Sequence, residues 1–120
     1  FNKKAVPNVI FTSPEVATVG LSEKECKEMN IDYSVSKMPF ISNGKAIIMN
    51  QTDGFTKIIK DNSNGNIIGA SIIGPDASSL INTLTLAVDQ DIKDMDLVNM
   101  IFPHPTTGEV IHEAASEFEI

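Results

Sequence analysis

The sequence predicts an α+β fold, an antiparallel β-sheet flanked by helices, and three observations carry that reading. From Val9 to Ile73 the chain consists of short apolar runs separated by turn signals, among them Asn43-Gly44, Asp53-Gly54 and Asn64-Gly65. Those turns are too short for the crossovers that parallel strands require, so the central strands must pair antiparallel. Past Pro75 the apolar residues change to helical spacing, and strands followed by helices point to helices packed on one sheet.

Taken in order, residues 5–20 read as extended segments broken by Pro7 and Pro14, with Val9-Ile10-Phe11 and Val16-Ala17-Thr18-Val19 as their apolar stretches. Ser22-Glu23-Lys24-Glu25 has the form of a capping box, which predicts a short helix to about Met29. Cys26 falls on that helix as a small, semi-buried residue. Tyr33 to Met38-Pro39 reads as a strand. Lys45 to Met49, between its two Gly turns, and then Phe55 to Lys60 and Ile67 to Ile73 complete an antiparallel meander. Ala77, Leu80, Ile81, Leu84 and Val88 define a helix with Asp76 as its N-cap. A shorter helix follows from about Asp94 to Met100, and a last one places Ile111, Ala114, Ala115 and Phe118 on one face.

The bulk properties bound what such a fold does. A chain of 120 residues has the size of one domain, residues 1–120, and buries enough surface to fold without disulfides or metals. No apolar run approaches the length of a membrane span, and no signal peptide precedes the first strand. Sixteen acidic residues against nine lysines and no arginine give a net charge of −7. Nucleic acid and anionic membranes, which need clustered positive charge, are poor partners for it. The single cysteine excludes an internal disulfide and suits a reducing compartment, the cytoplasm or, for a eukaryotic source, the mitochondrial matrix.

The helix that opens at Asp76 is unusual in carrying no charge before Asp89. A solvated helical face normally carries Lys and Glu. Either neighbouring elements of the same domain cover this helix, or its face of Ser79, Asn82, Thr83 and Leu86 is buried against a partner subunit, since charge depletion marks the core of an interface.

The densest chemical signal is Phe102-Pro103-His104-Pro105-Thr106-Thr107-Gly108-Glu109. Thr106 to Glu109 fits a second capping box, with Thr106 as the cap and Glu109 as the third helical residue. Helical side chains lean toward the N-terminus, so the Glu109 carboxylate is aimed back at His104 and can fix its tautomer. Pro103 and Pro105 stiffen the loop, and His104-Pro105 is a candidate cis bond. From the residues alone, Glu109 is as readily a plain capping residue and His104 a solvated loop histidine. A metal site built from His104, Glu109, His112 and Glu113 is a weaker alternative, because one helix would supply nearly all the ligands.

His104-Pro105-Thr106-x-x-Glu109, continuing into His112-Glu113-Ala114-Ala115, resembles the C-terminal signature of the flavin-dependent, pyridine nucleotide-disulfide oxidoreductases, in particular the dihydrolipoamide dehydrogenase family. Val6-Pro7-Asn8-Val9-Ile10-Phe11-Thr12-Ser13-Pro14-Glu15-Val16-Ala17-Thr18-Val19-Gly20-Leu21 is similar to the opening of the same domain. Asp53 to Ile59 and Ile68 to Gly74 resemble its two central strands. The likeness covers nearly the whole chain in order, and glutathione, trypanothione and mercuric reductases share much of it.

The resemblance implies a dimerisation domain that forms most of a two-fold homodimer interface and completes the partner's active site in trans. It implies that His104 is the acid-base group and Glu109 its partner, with Pro103, Pro105 and Thr106 positioning them. It also implies FAD and NAD in the parent enzyme, NAD-linked oxidation of dihydrolipoamide, and service to a lipoyl-bearing 2-oxo acid dehydrogenase complex. The chain itself has no Cys-x₄-Cys pair and no Gly-x-Gly-x-x-Gly fingerprint after a strand. Gly69 to Gly74 lacks the Lys-Ser/Thr of a phosphate loop. Starting at Phe1 without a methionine, the chain reads as an excised domain, with the FAD- and NAD-binding domains elsewhere. Alone it is expected to bind no cofactor, to hold no metal and to catalyse nothing, which makes a non-catalytic dimerisation module the competing description.

Overall fold

The computed structural model describes residues 3–118. After a single 3-10 turn at Lys3–Ala5 come strands β1 (Asn8–Ile10) and β2 (Glu15–Gly20), helix α1 (Glu23–Glu28) and strand β3 (Tyr33–Pro39). A connection with another 3-10 turn and the short helix α2 (Gly44–Ile48) leads to β4 (Phe55–Asp61) and β5 (Ile67–Gly74). Helices α3 (Ala77–Asp89), α4 (Asp94–Val98) and α5 (Glu109–Glu117) end the chain. The five strands form one sheet in the order β1-β2-β5-β4-β3, antiparallel throughout. The expected α+β architecture is therefore present, with β3, β4 and β5 as the meander and β5 returning to pair with β2. No helix among the described residues is long and apolar enough to cross a membrane.

The predicted capping box of α1 is complete: Glu25 N–H donates to the Ser22 hydroxyl at 3.2 Å and Ser22 N–H to the Glu25 carboxylate at 3.1 Å. Cys26 is fully buried rather than half-covered, and burial pushes its thiol pKa up.

Lys45 to Met49 departs from expectation. It is helix, not a strand of the meander. The reason lies in the register: β3 already pairs with β4 from Tyr33↔Asp61 to Pro39↔Phe55. Everything between Pro39 and Phe55 is thus connection, and Asn43-Gly44 starts a helix instead of turning a hairpin. The Asn43 side chain accepts from the Ala46 N–H at 2.9 Å and so caps that helix.

Helix α3 packs across β2 and β5, and α5 across β3 and β4. Between them lie Ala17, Val19, Ile58, Ile72, Ile81, Leu84, Val88, Val110, Ile111, Ala114 and Ala115, all buried. Each large aliphatic side chain among them contributes about 1.5–3 kcal/mol on burial. Phe118 packs on the edge of this core, and its ring also receives the Lys60 ammonium at 4.7 Å.

Asp76 does not cap α3 with its side chain. It sits in the left-handed region at φ 61°, and the Glu15 carboxylate of β2 takes the role instead, accepting from the Ser78 N–H at 3.0 Å. The helix N-terminus is thereby fixed to the sheet by a residue distant in sequence.

At the other end of β2, Gly20 pairs with Gly69 and the chain bends sharply into α1. A methyl group on Gly69 would lie 2.0 Å from the Leu21 carbonyl oxygen, and the atom in the way is backbone. Gly69→Ala is therefore expected to destabilise the fold by on the order of 1–3 kcal/mol, seen as a lower urea midpoint with an unchanged slope.

Candidate active site

The chain enters α5 through the loop that the sequence singled out. Phe102 packs its ring against His112 at 5.6 Å between centroids, and His112 Nε2 lies 3.1 Å from the Val98 carbonyl oxygen. This fixes the approach to the two prolines. The His104-Pro105 bond is cis, as expected, and so is Ser13-Pro14. Thr106 Oγ donates to the Pro103 carbonyl at 2.8 Å, closing the turn that carries His104 at its tip.

The second capping box is only half formed. Glu109 accepts from the Thr106 N–H at 3.0 Å. The Thr106 hydroxyl, however, donates to Pro103 and accepts from no helix N–H among the described residues. Regular helix begins at Glu109 itself, after a tighter turn in which Val110 N–H meets the Thr107 carbonyl and Ile111 N–H the Gly108 carbonyl. Glu109 is thus the first helical residue, not the third. Gly108 leaves only ordinary contacts for a Cβ, the nearest at 3.6 Å from Thr106 Oγ, so a larger residue there meets no steric obstacle.

Glu109 faces the imidazole as its spacing suggested. His104 Nδ1 lies 2.8 Å from Oε1 and 3.1 Å from Oε2. The Thr106 N–H first, and then His104, hold the Glu109 carboxyl below its ordinary pKa. An ionised carboxylate only accepts, so Nδ1 must carry the proton. In the neutral ring this leaves the Nε2 lone pair free, and Nε2 has no hydrogen-bond partner among the described residues. The His104 side chain is 76% exposed whereas that of Glu109 is 24% exposed. The pair therefore presents a base at the surface and keeps the orienting carboxylate behind it.

A further layer supports the loop, and sequence reasoning missed it. Asn43, almost fully buried, donates to the Thr106 carbonyl at 3.1 Å and reaches Glu113 Oε1 at 3.5 Å. Glu113 Oε2 is buried with no hydrogen-bond partner among the described residues. Burial pushes the Glu113 carboxyl pKa up, against the smaller opposing pull of Asn43. Thr107 Oγ lies 3.4 Å from Asp76 Oδ2, which ties the loop to the start of α3. The only trace of Asn43 in the sequence was an Asn-Gly dipeptide, read as a turn. Glu113 was noticed only within the His112-Glu113-Ala114-Ala115 signature and as a possible metal ligand. His112 is turned away toward Val98, and the described residues bring no group of three His, Cys, Asp or Glu within reach of one metal ion.

Of the other candidate residues, Ser79, Asn82 and Leu86 stand exposed on α3, with Leu86 56% exposed, and Thr83 is half-covered. Among the described residues, elements of the same chain leave Ser79, Asn82 and Leu86 on this uncharged face open. The turn from β5 into α3, superficially like a phosphate loop, is unsuited to a nucleotide: the Glu15 carboxylate occupies the helix N-terminus, and Asp76 adds a second negative charge.

The fold and this loop together define an interface domain that carries a surface His–carboxylate pair. Residues 6–115 match the pyridine nucleotide-disulphide oxidoreductase dimerisation domain, and the chain belongs to that family. It is 45% identical over 111 residues to the dihydrolipoyl dehydrogenase of Geobacillus stearothermophilus, covering 92% of this chain and 24% of that enzyme. With the dihydrolipoyl dehydrogenase of Chlamydia trachomatis the identity is 47%, over the same shares of the two chains. Among solved structures, LpdA of Mycobacterium tuberculosis superimposes with a TM-score of 0.92 at 28% identity, over 98% of this chain and 26% of that one. The HOCl-induced flavoprotein disulfide reductase RclA of Escherichia coli gives 0.91 at 31% identity, over 95% and 26%. The chain thus spans about a quarter of the length of the relatives it matches.

The two carboxyls behind His104 titrate in opposite senses, and the difference is measurable. Glu109, with its pKa lowered, contributes stability above the ordinary glutamate range and loses it as pH falls through its folded value. Glu113, with its pKa raised, costs nothing at acid pH, and its penalty grows as pH rises from the ordinary value through the raised one. Glu113→Gln is therefore expected to gain stability relative to the unsubstituted chain as pH rises above the ordinary glutamate range. Urea midpoints across that rise would show it, and a constant difference would contradict it.

Proposed function

We propose that these 120 residues act as one interface domain of an FAD-dependent, NAD-linked dihydrolipoyl dehydrogenase. On this reading the domain pairs with a second copy and supplies His104 as the acid-base group of the partner's site. The observation that carries the reading is the contact of His104 Nδ1 with the Glu109 carboxylate, which leaves Nε2 facing outward to meet a substrate that this chain does not itself enclose. That the relatives compared above are named dihydrolipoyl dehydrogenase favours this reductase over the glutathione and mercuric types.

A thiol is a weak nucleophile until it loses its proton. His104 Nε2 takes that proton from a dihydrolipoamide thiol, and the resulting thiolate attacks one sulfur of a redox disulfide, releasing the other as a thiolate. Glu109 holds the ring in the receptive tautomer and balances the positive charge as the proton arrives. FAD and NAD would supply the electron transfer that follows in the parent enzyme, and no residue of this chain is assigned to hold them. The dihydrolipoamide would arrive on the lipoyl-bearing component of a 2-oxo acid dehydrogenase complex.

In the full-length enzyme His104→Gln is expected to lower turnover by at least ~10²-fold. Glu109→Gln should cost less, since it spares the base and removes only its orienting charge. Near-normal turnover in His104→Gln would refute the assignment.

The uncharged, exposed face of α3 suits the self-pairing surface. Lysines introduced together at Ser79 and Thr83 would face their own symmetry copies, and like charges across an interface cost several kcal/mol. Sedimentation should then show a shift toward monomer. Unchanged association would place the interface elsewhere.

A further inference from the structure

We infer that Asn43 is a positioning residue for the His104–Glu109 pair, holding it through the Thr106 backbone. The inference rests on the reading of that pair as the working site. Four observations support it. Asn43 lies in the connection between β3 and β4, far in sequence from the loop, yet its carboxamide touches both α2 and the turn that leads into α5. Its oxygen accepts from the Ala46 N–H at 2.9 Å, while its nitrogen donates to the Thr106 carbonyl at 3.1 Å and faces Glu113 Oε1 at 3.5 Å. These partners allow one orientation only, because a flipped amide would set its oxygen against two acceptors and its NH₂ against a donor. The neighbouring peptide of the same residue, the Thr106 N–H, binds the Glu109 carboxylate that orients His104. A continuous path of hydrogen bonds therefore runs from Glu113 and Asn43 through Thr106 and Glu109 to His104.

Capping α2 does not by itself call for asparagine. Serine, threonine or aspartate accept from a helix N–H as well. An ionised carboxylate cannot donate to Thr106, and a hydroxyl would have to serve both partners from one oxygen. The carboxamide meets Ala46 with its oxygen and Thr106 with its nitrogen, so the choice of residue answers to the loop as much as to the helix. The loop also needs the support. His104 is mostly exposed, its turn is closed by a single side-chain bond to Pro103, and a reactive group must be held by a rigid surround.

The test separates the cap from the clamp and needs no turnover, so its outcome is independent of the assay that judges the proposed function. Asn43→Ser keeps a hydroxyl oxygen for the Ala46 N–H, but its shorter side chain cannot place a proton where the carboxamide nitrogen donates to Thr106. Asn43→Asp removes the donor with the original shape and covers the case in which the serine variant fails to fold. Because it adds a charge, it is judged by the His104 tautomer and not by the Glu109 titration. In ¹⁵N- and ¹³C-labelled chain, imidazole nitrogen shifts report the His104 tautomer, and the side-chain carboxyl carbon reports the Glu109 titration. A folded variant is expected to lose the Nδ1–H tautomer by a factor of about two or more, the low end of what one hydrogen bond contributes, and the serine variant to show Glu109 titrating upward, toward ordinary glutamate. A merely structural Asn43 would move neither reading. A wild-type tautomer ratio in a folded variant would overturn the inference, and so would loss of the fold in both variants.

Discussion

The working end of this domain depends on one carboxylate. Glu109 receives the Thr106 N–H and His104 Nδ1 together, at 3.0 and 2.8 Å. The first bond joins the carboxylate to its own loop and the second makes the loop chemically directional. Because Glu109 is also the first residue of α5, the imidazole is referenced to a helix whose other face is locked in the core by Val110, Ile111, Ala114 and Ala115. A histidine on a free loop would explore many orientations. This one is tied to the sheet in a few covalent and hydrogen-bonded steps, and that coupling makes its tautomer a property of the fold.

Two carboxyls one helical turn apart illustrate how environment divides chemical roles. Glu109 lies near the surface, meets an N–H and an imidazole, and stays ionised. Glu113 faces inward, with one oxygen near Asn43 and the other without a partner among the described residues, and burial favours its neutral form. Both ionised on one helix face would repel each other at a turn's distance, and the shifts run in opposite senses, so the front carboxyl holds its charge to lower pH than the rear one.

The large features of the fold were legible because they rest on local chemistry. The change from strand-length runs to helical spacing after Pro75 gave the α+β class, the Ser22–Glu25 box gave α1, and the apolar face of α5 appears where its spacing put it. The Pro-His-Pro loop and the backward aim of Glu109 were likewise readable from a few adjacent residues. What failed was long-range. Lys45 to Met49 reads as a strand until the direct pairing of Pro39 with Phe55 shows that no place in the sheet is left for it. Asp76 has the side chain of a cap but not the backbone, and Glu15 caps α3 from another element. Thr106 has the right side chain too, but regular helix begins only at Glu109, so Thr106 does not stand at the cap position. Asn43 was invisible because its role exists only once β3, β4 and α5 are assembled.

The exposure of His104 and the missing charge on α3 are two aspects of one constraint. A base open to water gains little over water itself, since solvent screens its partner charge and competes for its lone pair. Its environment must be completed by a surface brought to it. An uncharged helix face with Leu86 exposed is equally incomplete, because no described element of the same chain covers it. On the proposed reading a second copy resolves both at once: association buries the α3 face and delivers His104 to a site that this chain lacks. Catalysis and pairing then share their energetics, so substitutions that only weaken association also lower activity, without touching any reacting group, and that loss is recovered as protein concentration rises. Substitutions at His104 itself lower activity at every concentration. The distinction follows from where the residues lie: one set on the outer face of α3, the other at the tip of a braced loop.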